Sequence, residues 1–255
     1  MCCLYIRILI ATLFIIITTL CALIYCLINR PRAPKHVYTF CRWFNQLQKI
    51  TGVRIEQRGL DNSQGIPNAV YISNHQSVFD FVTTPGMLRP RTVSLGKKSL
   101  VWIPFFGQLY WITGNILIDR ENKSKARNTI QQVADAIHSR DLSVWVYPEG
   151  TRSKGRGLLP FKTGAFRMAI EAGVPIVPVV ISTTHNKIDL NKWDNGTVIA
   201  EMLAPIQTTG LKATQARELA EQCHQLMADK IAQLDNELAE RKSTVDMDNS
   251  HQNEA

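Results

Sequence analysis

The chain has few cysteines, and almost all of them lie near its beginning. Six occur in 255 residues. They are Cys2, Cys3, Cys21, Cys26, Cys41 and Cys223. Because Cys223 is the only thiol beyond residue 41, neither a disulfide framework nor a cysteine-based zinc site is available there. This usage is typical of a protein in a reducing compartment, and we expect no metal site.

Charge is missing from one long run near the start of the chain. Residues 8–28 contain no charged side chain, and a helix of that length spans roughly 30 Å, the thickness of a bilayer core. A cleaved signal peptide would have a shorter apolar region and a small-residue cleavage site, whereas "NRPRAPKH" follows here. A buried core helix is seldom so uniformly apolar. We therefore predict that 1–35 is a retained membrane anchor.

The charges that flank this run predict its orientation and the kind of partner. Arg30, Arg32 and Lys35 outnumber Arg7, so the positive-inside rule places the rest of the chain in the cytoplasm. The net charge of +8 indicates an anionic partner, either nucleic acid or a lipid surface. Because an anchor holds the chain at a membrane, we expect membrane lipid and no nucleic acid.

Short β-rich runs alternate with helical stretches over residues 59–242. The runs lie at 69–73, 92–95, 115–119, 143–147, 175–182 and 197–203, and the clearest helices between them at 123–139 and 164–173. This alternation predicts an α/β domain with a mostly parallel sheet flanked by helices. Before it, 36–58 has the spacing of an amphipathic helix, either in the lipid headgroups or packed on the domain. The tail 243–255 has the composition of a disordered segment.

A histidine and an aspartate lie five positions apart in "SNHQSVFD", directly after the first of these runs. On one regular helix, His75 and Asp80 would point about 140° apart. They meet only if His75 lies in the turn that leaves the strand and Asp80 in the first helical turns, with Ser73 or Asn74 as a cap. A histidine oriented by a carboxylate at one ring nitrogen can accept a proton from an alcohol at the other.

The sequence lacks the nucleophile that would complete a serine-hydrolase triad. It contains no G-x-S-x-G elbow, and Ser77 is too close to His75 along the chain to be presented independently. The hydroxyl that His75 activates therefore belongs to a substrate. Taken alone, this spacing is also compatible with a loop histidine that has no chemical role.

Positive charge at other strand ends supports a chemical role. "YPEGTRSKGRG" after the fourth run combines glycines with Arg152, Lys154 and Arg156, which is typical of a phosphate-binding loop. Arg120 follows the third run, and Lys97 and Lys98 follow the second. Because ligands bind beyond the carboxyl ends of parallel strands, we expect these loops to meet at one crevice.

These segments resemble the glycerophospholipid acyltransferase family. Its four blocks occur in order as "NHQSVFD", "GNILIDR", "YPEGTRS" and "VPIVPVV", with Tyr147 where the family usually has phenylalanine. The resemblance covers roughly 36–240. It implies transfer of an acyl group from an acyl thioester, on CoA or acyl carrier protein, to the 2-hydroxyl of lysophosphatidic acid at a bacterial inner membrane. Direct transfer of this kind uses no acyl-enzyme, metal or cofactor.

The resemblance also implies a role for each site residue. His75 would be the general base and Asp80 the residue that orients it. The acceptor would be bound by Lys97, Arg120, Glu149, Gly150, Thr151 and Arg152. The fourth block, 174–180, would shape the acyl-donor region, and the apolar stretch 101–114 either lines an acyl groove or packs in the core.

Two other functional classes remain open on the residues alone. A membrane-tethered esterase or thioesterase would use the same pair to activate water, and a lipid-binding scaffold would use no chemistry. Hydrolysis does not need the arginines that bind a second substrate's phosphate, and a scaffold leaves the oriented histidine unexplained. Within the family, glycerol 3-phosphate or another lysophospholipid is an alternative acceptor.

Overall fold

The chain is described by a computed structural model covering residues 2–118 and 126–252, with side chains described over 4–118 and 128–244. The helices are α1 (Cys2–Ile28), α2 (Lys35–Phe44), α3 (Leu47–Thr51), α4 (Asp80–Thr83), α5 (Phe106–Ile112), α6 (Ala126–Ser139), α7 (Gly164–Ala172) and α8 (Ala216–Gln252). The strands are β1 (Arg54–Arg58), β2 (Val70–Ser73), β3 (Thr92–Lys97), β4 (Ile116–Ile118), β5 (Ser143–Val146), β6 (Ile176–Ile181) and β7 (Thr197–Met202).

In the described part of the chain, seven strands form one sheet in the order β1-β7-β6-β2-β5-β3-β4. All neighbours are parallel except β6 and β7, so the mostly parallel sheet flanked by helices is confirmed. Strands β2, β5, β3 and β4 are adjacent and run in the same direction. The loops that follow them therefore leave the same edge of the sheet.

The core lies on both faces of the central strands. Every residue of β2, β5 and β6 is buried, which explains why these strands read as continuous apolar runs rather than as an alternating pattern. Six strands lie where the sequence predicts them. The edge strand β1 was not predicted, because its sequence "RIEQR" is mostly polar and none of its residues is fully buried.

The predicted amphipathic helix 36–58 is wrong beyond its first part. Helix α2 ends at Phe44, α3 is a separate short helix, and β1 occupies 54–58. Gly52 separates α3 from β1: it ends α3 with φ of 69°, and it lies so close to Trp193 that a Cβ atom there would be 2.0 Å from the Trp193 carbonyl oxygen. Within α2, His36, Val37 and Phe40 are buried, so this helix packs on the domain.

Helix α1 lies antiparallel to α2 and α3 along the side of the domain. Near its C-terminal end, Tyr25 contacts Phe40 with ring centroids 5.7 Å apart. Near its N-terminal end, Arg7 is only 2% exposed, and its guanidinium donates to the carbonyl oxygens of Thr51 (3.3 Å), Lys192 and Trp193 (2.7 Å). Both ends of α1 therefore contact the same domain.

By length and composition, residues 4–28 of α1 are apolar enough to cross a membrane. Only 17% of the apolar window is buried in the protein, so most of this surface has no protein partner in the described structure. A core helix would be mostly buried, whereas a signal sequence passes the same test of length and composition. The structure thus supports association with a membrane.

At the other end of the chain, helix α8 continues to Gln252, so the prediction of a disordered tail over 243–255 is wrong for 243–252, while 253–255 lie outside the described residues. The residues of 243–252 are mostly polar, a composition shared by disordered segments and by helices that extend into solvent. Composition alone therefore does not distinguish these two states.

Candidate active site

The position of His75, in the turn after β2, is set by hydrogen bonds from the residues on either side of it. Asn74 donates to the carbonyl oxygen of Ile181 (2.8 Å) and accepts from its N–H (2.9 Å), while Gln76 donates to the carbonyl oxygen of Ser182 (2.9 Å). Both amide side chains are buried. Because His75 lies between these two anchors at the end of β6, its position relative to the sheet is fixed.

The imidazole of His75 contacts the carboxylate of Asp80. Nδ1 lies 2.5 Å from Oδ2, and the two side chains are 21% and 6% exposed. Asp80 begins α4, and Oδ2 also accepts the backbone N–H of Gln76 at 2.9 Å. The carboxylate therefore engages Nδ1 and leaves Nε2 as the nitrogen that can meet a ligand.

Neither residue predicted as a helix cap has that role. Asn74 is bound to Ile181, and Ser73 points its hydroxyl toward the carbonyl oxygen of Asn74 at 3.5 Å. The turn is closed instead by the Asp80 carboxylate, which accepts the backbone N–H groups of Gln76 and Ser77. One carboxylate thus both starts the helix and orients the histidine.

Tyr147, which directly follows β5, covers one face of the His75 ring. Its ring stacks on the imidazole of His75, with centroids 4.1 Å apart and planes 17° from parallel. The Tyr147 hydroxyl lies 3.4 Å from that of Thr84. Burial, with the nearby charge of Asp80, raises the pKa of Tyr147, so the phenol stays neutral.

Glu149 ties the loop after β5 to the histidine turn. One carboxylate oxygen accepts the backbone N–H of His75 at 2.6 Å, and the other accepts that of Leu159 at 3.0 Å. The residue is 3% exposed, and burial raises the pKa of its carboxyl although both hydrogen bonds favour the charged form. This enclosed placement differs from the substrate contact that the resemblance implied, because both oxygens already bind backbone donors.

Backbone hydrogen bonds join the same two loops further along. Ser153 donates to the carbonyl oxygen of His75 at 2.8 Å, and Lys154 donates to that of Gln76 at 3.0 Å. Arg156 folds back on its own loop, donating to the carbonyl oxygen of Ser153 at 2.8 Å. The basic loop is therefore held directly beside the histidine.

Gly150 allows another cation to lie against this loop. Its φ is 72°, and a Cβ atom there would be 2.7 Å from Nζ of Lys162. The Lys162 backbone N–H donates to the carbonyl oxygen of Pro148 at 2.9 Å. Sequence reasoning missed Lys162, because it lies twelve positions from Gly150 and only the fold of the loop brings it back.

The remaining predicted ligands lie at the same edge of the sheet. Lys97 is the last residue of β3 and is exposed, Thr151 is exposed, and Arg152 is half-buried in the loop after β5. Arg120, which would complete the set, lies outside the described residues. The structure therefore brings together the ends of β2, β5 and β3, on which the described site residues lie.

The fourth block, 174–180, contributes most of β6, and its role in shaping the acyl-donor region stays a prediction. All side chains of β6 are buried, because this strand lies between β2 and β7 in the middle of the sheet. Its contribution to the site is the pair of backbone groups of Ile181 that hold Asn74. Among the described residues, no group of three or more histidine, cysteine, aspartate or glutamate side chains is arranged to hold a metal ion.

Comparisons with known proteins show the family to which the chain belongs. A family model described as "Acyltransferase" matches residues 54–182, about half of the chain. The chain is 53% identical over 237 residues to the 1-acyl-sn-glycerol-3-phosphate acyltransferase of Escherichia coli, with 93% of this chain and 96% of that protein covered. It is 52% identical to the Haemophilus influenzae protein of the same name, covering 88% and 96%.

A human protein and a crystal structure extend the comparison. The human 1-acyl-sn-glycerol-3-phosphate acyltransferase beta is 35% identical, covering 72% of this chain and 68% of that protein. The crystal structure of the 1-acyl-sn-glycerophosphate acyltransferase of Thermotoga maritima matches with a TM-score of 0.72 at 23% identity, covering 91% of this chain and 94% of that one, which shows a shared fold. From the family model and the bacterial relatives, the chain belongs to the acyltransferase family and is an acyltransferase enzyme.

Proposed function

We propose that this enzyme transfers a fatty acyl group from an acyl thioester to the 2-hydroxyl of 1-acyl-glycerol-3-phosphate, making phosphatidic acid for phospholipid biosynthesis. The observation that carries the proposal is the His75–Asp80 pair, 2.5 Å apart, beside a basic loop. The names of the relatives that match over about nine-tenths of the chain support the same acceptor.

His75 is the general base in the proposed reaction. Asp80 holds the proton of Nδ1, so Nε2 accepts the proton of the 2-hydroxyl while that oxygen attacks the thioester carbonyl. The carbon–oxygen bond forms, and backbone amides near the loop at 149–152 stabilise the oxyanion. The carbon–sulfur bond then breaks, and the imidazolium returns its proton to the departing thiolate.

The leaving group explains why the proposed mechanism involves no acyl-enzyme, metal or cofactor. A thiol has a pKa near 8.5, roughly seven units below that of water, so its expulsion is easy. Most of the rate enhancement then comes from holding the two lipid substrates in register. The acyl donor, on CoA or acyl carrier protein, is a co-substrate.

The basic residues at the sheet edge bind the acceptor phosphate in this proposal. Lys97 lies at the end of β3, Arg152 lies in the loop that follows β5, and Arg120 follows β4 in the sequence. Thr151 and the backbone at Gly150 lie in the same loop as Arg152 and would complete the acceptor site. Glu149, which is enclosed, acts as the brace between the two loops.

We place the enzyme on the cytoplasmic face of a bacterial inner membrane, with α1 embedded in one leaflet. A helix that crossed the bilayer would carry Arg7 away from the domain, whereas Arg7 contacts Thr51 and Trp193. The long exposed apolar surface of α1 favours lipid as its surroundings. The lipid acceptor and product would then lie in the same leaflet as α1.

The assay that tests this function supplies the purified enzyme, in vesicles, with radiolabelled acyl-CoA or acyl-acyl carrier protein. A panel of acceptors includes lysophosphatidic acid, glycerol 3-phosphate and lysophosphatidylethanolamine. We expect labelled phosphatidic acid as the main product. Labelled free fatty acid, released equally with and without an acceptor, would instead establish a thioesterase.

His75→Ala is expected to reduce kcat by about 10²- to 10⁴-fold, because it removes the general base. Tyr147→Phe is the matched control. It keeps the ring that stacks on His75 and removes only a hydroxyl 3.4 Å from Thr84, so near-normal kcat is expected. A folded His75→Ala protein with full activity would falsify the mechanism.

Arg152→Ala is expected to raise the KM for lysophosphatidic acid by about 10- to 100-fold, the effect of losing a charged hydrogen bond to phosphate. Arg217→Ala serves as the control, since this arginine is highly exposed on α8. Initial rates at varied acceptor and saturating acyl-CoA give both constants. An unchanged KM would show that Arg152 does not bind the acceptor.

A further inference from the structure

An exposed apolar surface lies between α1 and the histidine site. It consists of Val78 (57% exposed), Phe81 (55%), Trp102 (83%), Ile103 (46%) and Phe105 (63%), and we call it the apolar patch. Trp102 and Phe105 alone expose on the order of 300 Å² of apolar surface, given the usual area of aromatic side chains. Contiguous apolar surfaces of this size mark interaction sites.

The two segments that contribute to the patch meet in the structure. Phe81 follows Asp80 at the start of α4, and its ring meets that of Phe106 edge-on with centroids 5.9 Å apart. Phe106 directly follows Phe105 and begins α5. The patch therefore extends from the residue beside the catalytic carboxylate to the loop at 102–105.

The loop at 102–105 holds its apolar side chains outward at a conformational cost. Phe105 has φ of 63°, a backbone conformation that costs free energy for a bulky residue. Short backbone hydrogen bonds fix the loop, from Phe106 to Pro104 (2.7 Å) and from Gly107 to Ile103 (2.8 Å). Since the tip side chains remain exposed, packing within the described protein does not account for this conformation.

Two features of the surroundings identify lipid as the occupant. First, the patch lies near α1, because Leu109 and Ile112 of α5, the helix that directly follows Phe105, pack against Ala22 and Cys26 of α1 in one buried apolar cluster. Second, the exposed Lys98 precedes the patch, where a cation can meet anionic lipid headgroups. A lipid surface would thus contact α1 and the patch together.

We propose that the apolar patch inserts into the bilayer as a second membrane contact, separate from α1. This inference goes beyond the proposed reaction, because it assigns a partner to a surface to which that reaction gives no role. The fluorescence of Trp102 can report on this insertion, since 83% of the residue's surface is exposed.

Fluorescence quenching tests this inference without any measurement of activity. The full chain is reconstituted into vesicles of phosphatidylethanolamine and phosphatidylglycerol, with or without phosphatidylcholine brominated in its acyl chains. The contribution of Trp102 is obtained as the difference between the wild-type protein and Trp102→Phe. We expect brominated lipid to quench this component and aqueous iodide to leave it unaffected.

Leu226→Trp supplies the control, because Leu226 is 42% exposed on α8, away from the patch. Its added emission is expected to show the opposite behaviour, with quenching by iodide only. The inference is overturned if the Trp102 component is quenched by iodide and not by brominated lipid. It is equally overturned if both quenchers fail, since that outcome indicates that protein, either this chain or a second copy of it, covers Trp102.

Discussion

At the scale of single residues, the chemistry of the site depends on how His75 is held. The sequence predicted that His75 and Asp80 meet across a turn, and the structure shows their side chains 2.5 Å apart. The hydrogen bonds that hold the turn around this contact come from residues distant in the sequence. Ile181 holds Asn74, and Glu149 holds the backbone of His75. Sequence spacing gave no indication of either hydrogen bond.

Glu149→Gln tests the brace. An amide has one acceptor oxygen, so one of the N–H groups of His75 and Leu159 loses its partner, at a cost of about 1–3 kcal/mol. We expect a lower thermal unfolding midpoint in detergent micelles and a lower kcat. Glu171→Gln, at an exposed position of α7, is the control and is expected to change neither.

The loss of stability caused by Glu149→Gln is also expected to depend on pH. Burial raises the pKa of Glu149 above its ordinary value of 4.5, so the folded protein binds this proton more tightly than the unfolded chain. The stability contributed in this way is present below about pH 4.5 and lost as pH rises through the folded pKa. The unfolding midpoints of the wild-type protein and Glu149→Gln should therefore approach each other as pH rises from 4.5 through the pKa of the folded protein. A gap that widens over this range would contradict the role of burial.

At the scale of elements, the edge strand β1 depends on contacts that no local pattern reveals. Arg58 donates to both carboxylate oxygens of Glu237 on α8, at 2.8 and 2.6 Å, and Arg241 of α8 reaches Glu56 of the same strand at 2.8 Å. Charged side chains therefore hold a polar strand at the edge of the sheet. Such a strand lacks the apolar pattern by which buried strands are recognised.

Gly59→Ala tests how tightly the end of β1 is held. Gly59 has φ of 66°, and a Cβ atom there would be 2.1 Å from the carbonyl oxygen of Met202 in β7. The backbone has to shift, so we expect a loss of at least about 3 kcal/mol of stability. Gly65→Ala is the matched control, with φ of 74° and no atom within 4 Å, and should cost only about 1 kcal/mol. Equal unfolding midpoints for the two variants would contradict this close approach.

At the scale of the whole molecule, the membrane interaction follows from where α1 lies. The sequence predicted a membrane anchor from an uncharged run of residues, and this reading is independent of the rest of the fold. The structure adds that Arg7 stacks over the Trp193 ring, with its guanidinium carbon 4.6 Å from the centroid. Because the start of α1 is held on the domain, we expect both ends of the helix on one side of the membrane.

An epitope tag placed before Met1 tests this arrangement. If α1 lies in one leaflet, antibody is expected to label the tag in inverted membrane vesicles and not in intact spheroplasts. A second protein carries the tag after Ala255, and it should give the same result because the proposed cytoplasmic location of the domain does not depend on whether α1 crosses the bilayer. Labelling of the N-terminal tag in intact spheroplasts would show instead that α1 crosses the bilayer.

The sequence by itself determined the features of this protein that depend on the arrangement of residues within a short segment. These are the uncharged helix, the buried apolar strands, the order of the four family blocks and the pairing of His75 with Asp80. Periodicity and short spacings encode such features, because their physical cause lies within a few residues. The spacing of apolar residues also predicted α2. It did not predict that α3 would end at Gly52, which lies close to Trp193.

Only the tertiary structure decided the features that join distant segments. It gave Glu149 an enclosed position between two backbone donors, buried the fourth block in the centre of the sheet, returned Lys162 to the glycine loop and held Arg7 against the domain. It also left the side chains at 102–105 exposed beside the histidine site. Each of these depends on which strands are neighbours and where a loop returns, and residue order alone does not specify either.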